Sequence, residues 1–260
     1  MTRCWILYDR DDLMINGFFA GRLLERATDL GMCTRIVTVD DMPDGAPDAV
    51  INRSRDWRAA ERLEGMGARA FNGSAVSRIC NDKYETYRLA DYVGVPHLPA
   101  SLPGEGFPEG PPWVVKSRTG HGGTEVFRAD SEEEVGILCG RTDNPLIQKF
   151  GTPGRDMRVY VLDGEILAAV MRSNDRDFRA NYKLGGDIAL CEVPDYVEKM
   201  VEAVCGRLRP DFIGIDFVFD GGRAVLNEIE DAVGTRMLYS LTSIDAAALL
   251  AEHVHSKMSL

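Results

Sequence analysis

Residues 213–230, IGIDFVFDGGRAVLNEIE, decide the fold of this chain. Two apolar runs flank residues 220–222 (DGG), whose turn chemistry predicts a β-hairpin. Asp216 stands inside the first run, and Glu228 and Glu230 lie two apart near the end of the second. Because side chains alternate along a strand, Glu228 and Glu230 share one face, and Asp216 joins them if the two runs pair.

Three carboxylates on one face of this hairpin predict a metal site. Buried carboxylates are costly without compensation, and three together repel one another. Hard divalent cations relieve the repulsion, and Mg²⁺ favours carboxylates together with phosphate oxygens. A solvated polar face is the alternative, which the apolar neighbours of Asp216 disfavour. The candidate metal ligands are Asp216, Glu228 and Glu230.

A glycine-rich segment, SRTGHGGT at 117–124, follows the apolar run WVVK at 113–116. Lys116 ends that run and can place its ammonium beside phosphates that the segment covers. A strand follows rather than a helix, so the segment does not match the common phosphate-binding loops. A solvated hairpin tip is the alternative interpretation. The glycines whose backbone can approach an anion closely are Gly120, Gly122 and Gly123.

The remaining sequence divides into three parts. Strand-like and helix-like runs alternate over 1–77, which predicts a small lobe with a parallel sheet. Residues 78–145 hold a helix that stops at Gly94 and the glycine hairpin. Residues 146–260 are rich in strands joined by hairpin turns, which predicts an antiparallel sheet, and they close with a helix.

Composition narrows the class of protein. Of 260 residues, 45% are apolar and 27% charged, which is typical of globular domains and argues against a disordered chain. The formal net charge of −11 disfavours a nucleic-acid partner. We expect no membrane insertion, because no apolar run reaches the ~20 residues that span a bilayer. The six cysteines form no C-x-x-C pair, so we expect reduced thiols in a cytoplasmic protein. The oligomeric state stays open, with a homodimer as one alternative.

Seven short segments of the chain stand in a diagnostic order. They are NDKYETYRL with GVP at 81–96, PWVVK with the glycine loop, LIQKF at 146–150, DMRVYVL at 156–162, DFRANYKLGG at 177–186, and the two strands of the 213–230 hairpin. Each segment is a weak signal alone. In this order they resemble the ATP-grasp superfamily, and within it the RimK-like ligases, over about residues 78–250.

The resemblance implies an α/β and α+β chain with an ATP-grasp fold, in which a small N-terminal parallel α/β lobe precedes two α+β lobes that clamp ATP. It implies an ATP-dependent carboxylate–amine ligase that forms an amide or peptide bond through an acyl phosphate. The acid and the amine would be small molecules or peptides. Two Mg²⁺ ions would assist, with Mn²⁺ as a substitute. A phosphotransferase that stops at a phosphorylated product, and a nucleotide-binding scaffold without turnover, remain alternatives.

The resemblance also assigns roles by position. The residues implied for nucleotide binding are Lys83, Lys116, Gly120, Gly122, Gly123, Gln148, Lys149 and Phe150. The residues implied near the phosphates and the acyl phosphate are Arg158, Arg179 and Asn181. Asp216, Glu228 and Glu230 fall at the Mg²⁺ positions.

The chain departs from the RimK-like pattern at several positions. Glu230 stands where Asn is usual, and Lys149 where Glu is common. Leu184 replaces the usual Arg before Gly-Gly, and residues 231–234 (DAVG) replace Ser-Pro-Gly. These changes fall near the part of the site where the resemblance implies that the accepting substrate binds. The sequence therefore does not predict that glutamate is a substrate.

The N-terminal lobe carries candidates for substrate recognition. Residues 9–12 and 52–55 follow strands of a parallel sheet, so both loops lie at the edge where ligands usually bind. Arg53 and Arg55 are candidates for holding a carboxylate, and the aspartates of 9–12 for holding an amine. Two solvated loops are the alternative. Arg236 is a further substrate candidate, and it is also the alternative partner of Glu230.

Overall fold

A computed structural model describes residues 1–123, 125–180 and 186–259, and three β-sheets mark three lobes within them. Asn181 and Leu184, which the sequence singled out, lie outside the described residues. Within the described ranges no helix is both long enough and apolar enough to cross a bilayer. All six cysteines are free thiols, as predicted.

The N-terminal lobe is a four-stranded parallel sheet in the order β2-β1-β3-β4, as the alternating runs predicted. Strand β1 occupies a central place because five of its six residues are buried. The elements are β1 (Arg3–Tyr8), α1 (Arg10–Asp29), β2 (Cys33–Thr38), β3 (Ala49–Asn52), α2 (Trp57–Gly65), β4 (Arg69–Phe71) and α3 (Ser74–Cys80).

The central lobe is an antiparallel sheet in the order β5-β8-β6-β7. Its elements are α4 (Lys83–Val93), β5 (Ala100–Ser101), β6 (Trp113–Ser117), β7 (Val126–Ala129), α5 (Glu132–Cys139) and β8 (Pro145–Lys149). The predicted hairpin joins β6 to β7 around the glycine loop. The sequence assigned residues 146–150 to the C-terminal lobe. Strand β8 instead pairs with β6, so we place the boundary of the lobes after Lys149.

The C-terminal lobe is a five-stranded antiparallel sheet in the order β11-β10-β9-β12-β13. Its helix α6 buries one apolar face, and α8 closes the chain. The elements are β9 (Arg155–Leu162), β10 (Glu165–Ser173), β11 (Asp187–Cys191), α6 (Asp195–Leu208), β12 (Phe212–Asp220), β13 (Arg223–Glu230), α7 (Arg236–Leu241) and α8 (Ala246–Met258).

The hairpin of β12 and β13 forms as predicted, with one irregularity. Asp216 pairs with Glu228 and Gly214 with Glu230, so all three carboxylates belong to neighbouring register positions. Phe217 then pairs with Leu226, which leaves Asn227 as an extra residue in a β-bulge. The bulge brings Asn227 and Glu228 to the same cavity, although adjacent strand residues ordinarily face opposite sides.

The N-terminal and C-terminal lobes share one apolar core. Phe19 of α1 lies 6.4 Å from Phe212 of β12, measured between ring centroids, and α8 packs against α1. Asn72 adds a polar link, because its side chain donates to the carbonyls of Phe212 and Asp231. The N-terminal lobe is therefore positioned directly behind β12, the strand that carries Asp216.

Candidate active site

A cavity with about 900 Å³ of empty volume, its open mouth included, lies between the central sheet and the C-terminal sheet. Strands β6 and β8 supply one wall, and β9, β12 and β13 supply the other. The structure brings together here all eight residues that the sequence assigned to nucleotide binding: Lys83, Lys116, Gly120, Gly122, Gly123, Gln148, Lys149 and Phe150.

Lys83 enters the cavity from the first position of α4. The helix begins there because Asp82 caps it, its side chain accepting from the backbone N–H of Tyr84 at 2.9 Å. The buried Lys83 ammonium lies 3.3 Å from a carboxylate oxygen of Glu228 and donates to the carbonyl of Gly120. Lys83 therefore links α4, the glycine loop and strand β13.

Lys116 reaches the cavity from the end of β6. Its Nζ donates to the hydroxyl of Tyr87 at 2.9 Å and to the side-chain oxygen of Asn227 at 3.0 Å. Burial lowers the pKa of Lys116 to about 8, although the negative charge of Glu228 opposes the shift. Near neutral pH the ammonium is charged, buried and bound to neutral oxygens, which favours an approaching anion.

The segment Gln148–Phe150 forms the other end of the cavity. Gln148 is buried, and its amide nitrogen donates to the Tyr87 hydroxyl at 2.8 Å. Lys149 forms ion pairs with Glu109 at 3.0 Å and Asp220 at 3.2 Å, so its charge is compensated by two carboxylates. The ring of Phe150 lies 5.6 Å from that of Phe178, and both rings line the cavity.

The three carboxylates of the hairpin lie together as predicted. Asp216, Glu228 and Glu230 each offer one oxygen, and these atoms all lie within 4.8 Å of one another. Three hard oxygen donors at this spacing fit a divalent cation such as Mg²⁺. Glu228 also lines the large cavity, so a cation held here would adjoin the cavity that we call the nucleotide cavity after the ligand that the sequence predicts for it.

Two buried arginines hold Asp216. Arg158 and Arg172 each donate to its carboxylate at 2.7 Å. Burial alone would raise the pKa of Asp216, but the two guanidinium groups outweigh burial and lower the pKa to about 2. Asp216 is therefore ionised at neutral pH.

Glu230 turns into the carboxylate cluster rather than away from it. Its carboxylate lies 2.7 Å from Arg158, whereas the alternative partner Arg236 is exposed at the start of α7. Burial and the neighbouring charges of Asp216 and Glu228 raise the pKa of Glu230 even though Arg158 opposes the shift. Burial and the charge of Asp216 would raise the pKa of Glu228, but the combined positive charges of Lys83, Lys116 and Arg158 outweigh them and lower it. A raised pKa at one of the three carboxylates agrees with the expectation from the sequence, with burial as its largest cause and the repulsion by Asp216 and Glu228 as a smaller one.

Sequence reasoning missed Arg172 and Asp156. Arg172 donates to Asp156 as well as to Asp216, and both residues line the nucleotide cavity. A signal was present, since Arg172 ends the apolar strand EILAAVMR and Asp156 lies two residues before Arg158 on the same strand face. Neither position has a local pattern that separates it from an ordinary strand-end charge.

Arg179 contacts the glycine loop. It forms an ion pair with Asp177 at 2.7 Å and donates to the carbonyl of Gly123 at 2.8 Å. It also lines the nucleotide cavity. Its predicted role at the phosphates therefore stays a prediction with a compatible location.

A second, smaller cavity adjoins the first and has about 390 Å³ of empty volume, including open solvent. The residues common to both cavities are Lys83, Gly120, His121 and Glu228. Arg55 lines the second cavity from the N-terminal lobe and pairs with Asp12. Burial lowers the pKa of His121, and the nearby charge of Arg55 lowers it further. The second cavity thus meets the nucleotide cavity at the carboxylate cluster.

Arg53 has a different task from the substrate contact that the sequence suggested. It is 3% exposed, and its guanidinium donates to the carbonyls of Asp231 at 3.1 Å and Val233 at 2.6 Å. The aromatic rings of Phe19 and Phe212 flank it. Arg53 therefore joins the N-terminal lobe to the segment after Glu230, because a guanidinium satisfies several backbone carbonyls at once.

Comparison with known proteins agrees with this architecture. The sequence model of the RimK-like ATP-grasp domain matches residues 107–254. The chain is 27% identical over 247 residues to the protein MG011 of Mycoplasma genitalium, a match that covers 91% of this chain and 86% of that protein. It is 28% identical over 228 residues to human N-acetylaspartylglutamate synthase A, covering 81% of this chain and 58% of the human protein. Among solved structures, D-cycloserine synthetase DcsG superposes with a TM-score of 0.77 at 17% identity, covering 98% of this chain and 99% of that one.

Proposed function

The chain belongs to the RimK-like ATP-grasp family, and from that premise we propose that it is an ATP-dependent ligase that joins a carboxylate to an amine. The acid and the amine are small molecules or peptides. ADP and phosphate leave as the other products. The observation that carries the proposal is that eight residues assigned to the nucleotide line one cavity beside the three-carboxylate cluster.

Formation of the acyl phosphate requires that the negative charges of the two reactants be offset, and it requires no nucleophile from the protein. A carboxylate oxygen of the acid forms a bond to the γ-phosphorus while the bond to ADP breaks, which leaves an acyl phosphate. The amine then forms a C–N bond, loses a proton and displaces phosphate. In this proposal Lys83 and Lys116 offset the repulsion between the anionic reactants, and Arg179, which also lines the cavity, stabilises the transferring group. Arg158 lines neither of the two cavities described above and acts by holding Asp216 and Glu230.

Asp216, Glu228 and Glu230 would hold the divalent cations, with two Mg²⁺ ions as the proposed number and Mn²⁺ as a substitute. When bound, they supply positive charge that offsets the triphosphate. Glu228 is the residue best placed to serve both the metal site and the phosphate site, because it lines both cavities and lies beside Lys83.

The smaller cavity is the proposed site of the acid. It opens onto Glu228, next to the phosphate lysine Lys83, so a bound acid there has a short path to the γ-phosphate. Arg55 is the proposed contact for a carboxylate of the substrate. Related proteins carry names such as N-acetylaspartylglutamate synthase A and probable alpha-L-glutamate ligase. The substitutions at 230–234 argue for leaving glutamate as one candidate among several. Free thiols and the use of ATP fit a cytoplasmic enzyme.

A screen of acids paired with amines, read by ADP and phosphate release and then by product mass, tests the proposal. Release that needs both an acid and an amine, with a product heavier than the acid by the amine less water, is the expected result. ADP release that needs only one substrate would identify a phosphotransferase instead. ATP binding without ADP release from any pair would identify a scaffold.

A further inference from the structure

Lys83 and Lys116, two of the three lysines that line the nucleotide cavity among the described residues, have partners of different charge. Lys83 lies 3.3 Å from the carboxylate of Glu228, so its charge is compensated before any nucleotide binds. Lys116 donates instead to two neutral oxygens, those of Tyr87 and Asn227. A neutral acceptor orients an ammonium without cancelling its charge, so Lys116 is the lysine whose charge is left for an anion.

Tyr87 is built to be a rigid partner. It is 2% exposed on α4, and its ring stacks on His97 with centroids 4.6 Å apart and an interplanar angle of 4°. His97 is in turn held by Asp91 at 3.1 Å and by the carbonyl of Leu98 at 2.8 Å. A buried ring stacked on a neighbour that is itself held places its hydroxyl at one point, which a freely rotating side chain does not do.

The second neutral partner depends on the β-bulge of β13. Without the extra residue, Asn227 and Glu228 would face opposite sides of the sheet. With it, both line the nucleotide cavity, and Asn227 meets Lys116 at 3.0 Å. Two elements that are far apart in sequence therefore converge on one ammonium.

We propose that Tyr87 is a positioning residue that holds Lys116 toward the phosphates of the nucleotide without neutralising it. The inference rests on the proposed nucleotide site. A lysine side chain loses much rotamer freedom when it is fixed, so an ammonium that is already oriented binds an anion at a lower entropic cost. Without the hydroxyl, the Lys116 ammonium is free to turn toward the negative charge of Glu228, which already acts on it.

The test compares nucleotide binding by Tyr87→Phe and by the wild-type chain, measured by calorimetry with Mg²⁺ present. The substitution removes the hydroxyl and keeps the ring on His97. We expect ATP to bind about tenfold more weakly, the loss of one hydrogen bond to a charged group. Adenosine, which has no phosphate, should bind equally to both. Tyr92→Phe is the matched control, because Tyr92 lies on the same helix and is 75% exposed.

A double-mutant cycle separates positioning from packing. In a Lys116→Met background, Tyr87→Phe should leave ATP affinity unchanged, because the group through which it acts is gone. Asn227→Leu removes the other neutral partner and should weaken ATP binding in the wild-type background alone.

Three results would overturn the inference. The first is Tyr87→Phe binding ATP as tightly as the wild-type chain. The second is an equal loss for ATP and adenosine, which would assign the effect to Gln148, the other partner of the Tyr87 hydroxyl. The third is a loss that persists undiminished beside Lys116→Met. A wild-type chain that fails to bind ATP would instead refute the proposed function together with the inference.

Discussion

Replacing Lys116 by methionine should change nucleotide binding and the stability of the nucleotide-free protein in opposite directions. Methionine has a similar length and no charge, so it fills the same buried space beside Tyr87. The lysine is suited to a bound phosphate and costs free energy without one. Its substitution should therefore abolish the stabilisation that bound nucleotide gives, and it should also remove the unfavourable free energy of burying the ammonium.

The size of that cost follows from the pKa of the buried ammonium. Burial lowers the pKa of Lys116 from 10.5 to about 8. At about 1.4 kcal/mol for each pH unit, the charged form is disfavoured in the folded state by about 3 kcal/mol. The lost hydrogen bonds to Tyr87 and Asn227 offset about 1–2 kcal/mol of the gain. The variant should thus be more stable than the wild-type chain by about 1–2 kcal/mol near neutral pH.

The difference in free energy of unfolding between the methionine variant and the wild-type chain should change with pH, and the pKa of Lys116 sets the direction of that change. Below the folded pKa, of about 8, both states carry the proton and the penalty on the wild-type chain is fully present. Between that value and 10.5 the unfolded chain binds more protons than the folded one, so the free energy of unfolding of the wild-type chain rises with pH. The methionine variant lacks this rise. Its advantage should shrink as the pH rises above about 8 and should reverse before 10.5, where the penalty on the lysine is gone and only the loss of its hydrogen bonds remains.

Urea unfolding of both chains without nucleotide, at neutral and at alkaline pH, measures the stability difference, provided that the m-values agree. Thermal shifts with and without MgATP measure the ligand effect, which saturating ligand makes large for the wild-type chain and which the variant should lose. A variant that is less stable at neutral pH by an amount independent of pH would refute the argument from burial. An undiminished MgATP shift would refute the assignment of Lys116 to the phosphates.

Three further outcomes are expected. Glu228→Gln should weaken the Mg²⁺ dependence of ADP release more than Glu230→Asn does, because Glu228 adjoins both cavities. Titrations of turnover against Mg²⁺ measure the two effects, and equal effects would contradict that ranking. Glu230→Gln should stabilise the metal-free protein against urea at neutral pH, since burial and two neighbouring carboxylates raise the pKa of Glu230. The same substitution should lower Mg²⁺ affinity. A less stable variant would show that the contact of Glu230 with Arg158 dominates. MgATP should slow hydrogen exchange of the amides of residues 119–123, which line the two cavities, and unchanged exchange there would argue against a loop that closes on the nucleotide.

The chain's local patterns determined much of this protein. Alternation along 213–230 placed three carboxylates on one face, and the DGG turn paired the strands that carry them. The order of seven segments predicted the family, and all eight proposed nucleotide residues line one cavity. The hairpin follows from the sequence because a strand's side-chain period and a turn's chemistry are set by neighbouring residues alone.

Only the tertiary structure decided which charges meet. Arg158 and Arg172 reach Asp216 across 58 and 44 residues of sequence, through the register of β9, β10 and β12. That register depends on the packing of the whole sheet, so periodicity within one strand does not predict it. The same is true of Arg53, whose loop pattern suggested a substrate contact until burial between two lobes placed its guanidinium on backbone carbonyls. The bulge at Asn227 is a further example, because an extra residue in one strand is defined only by the partner strand that lacks it.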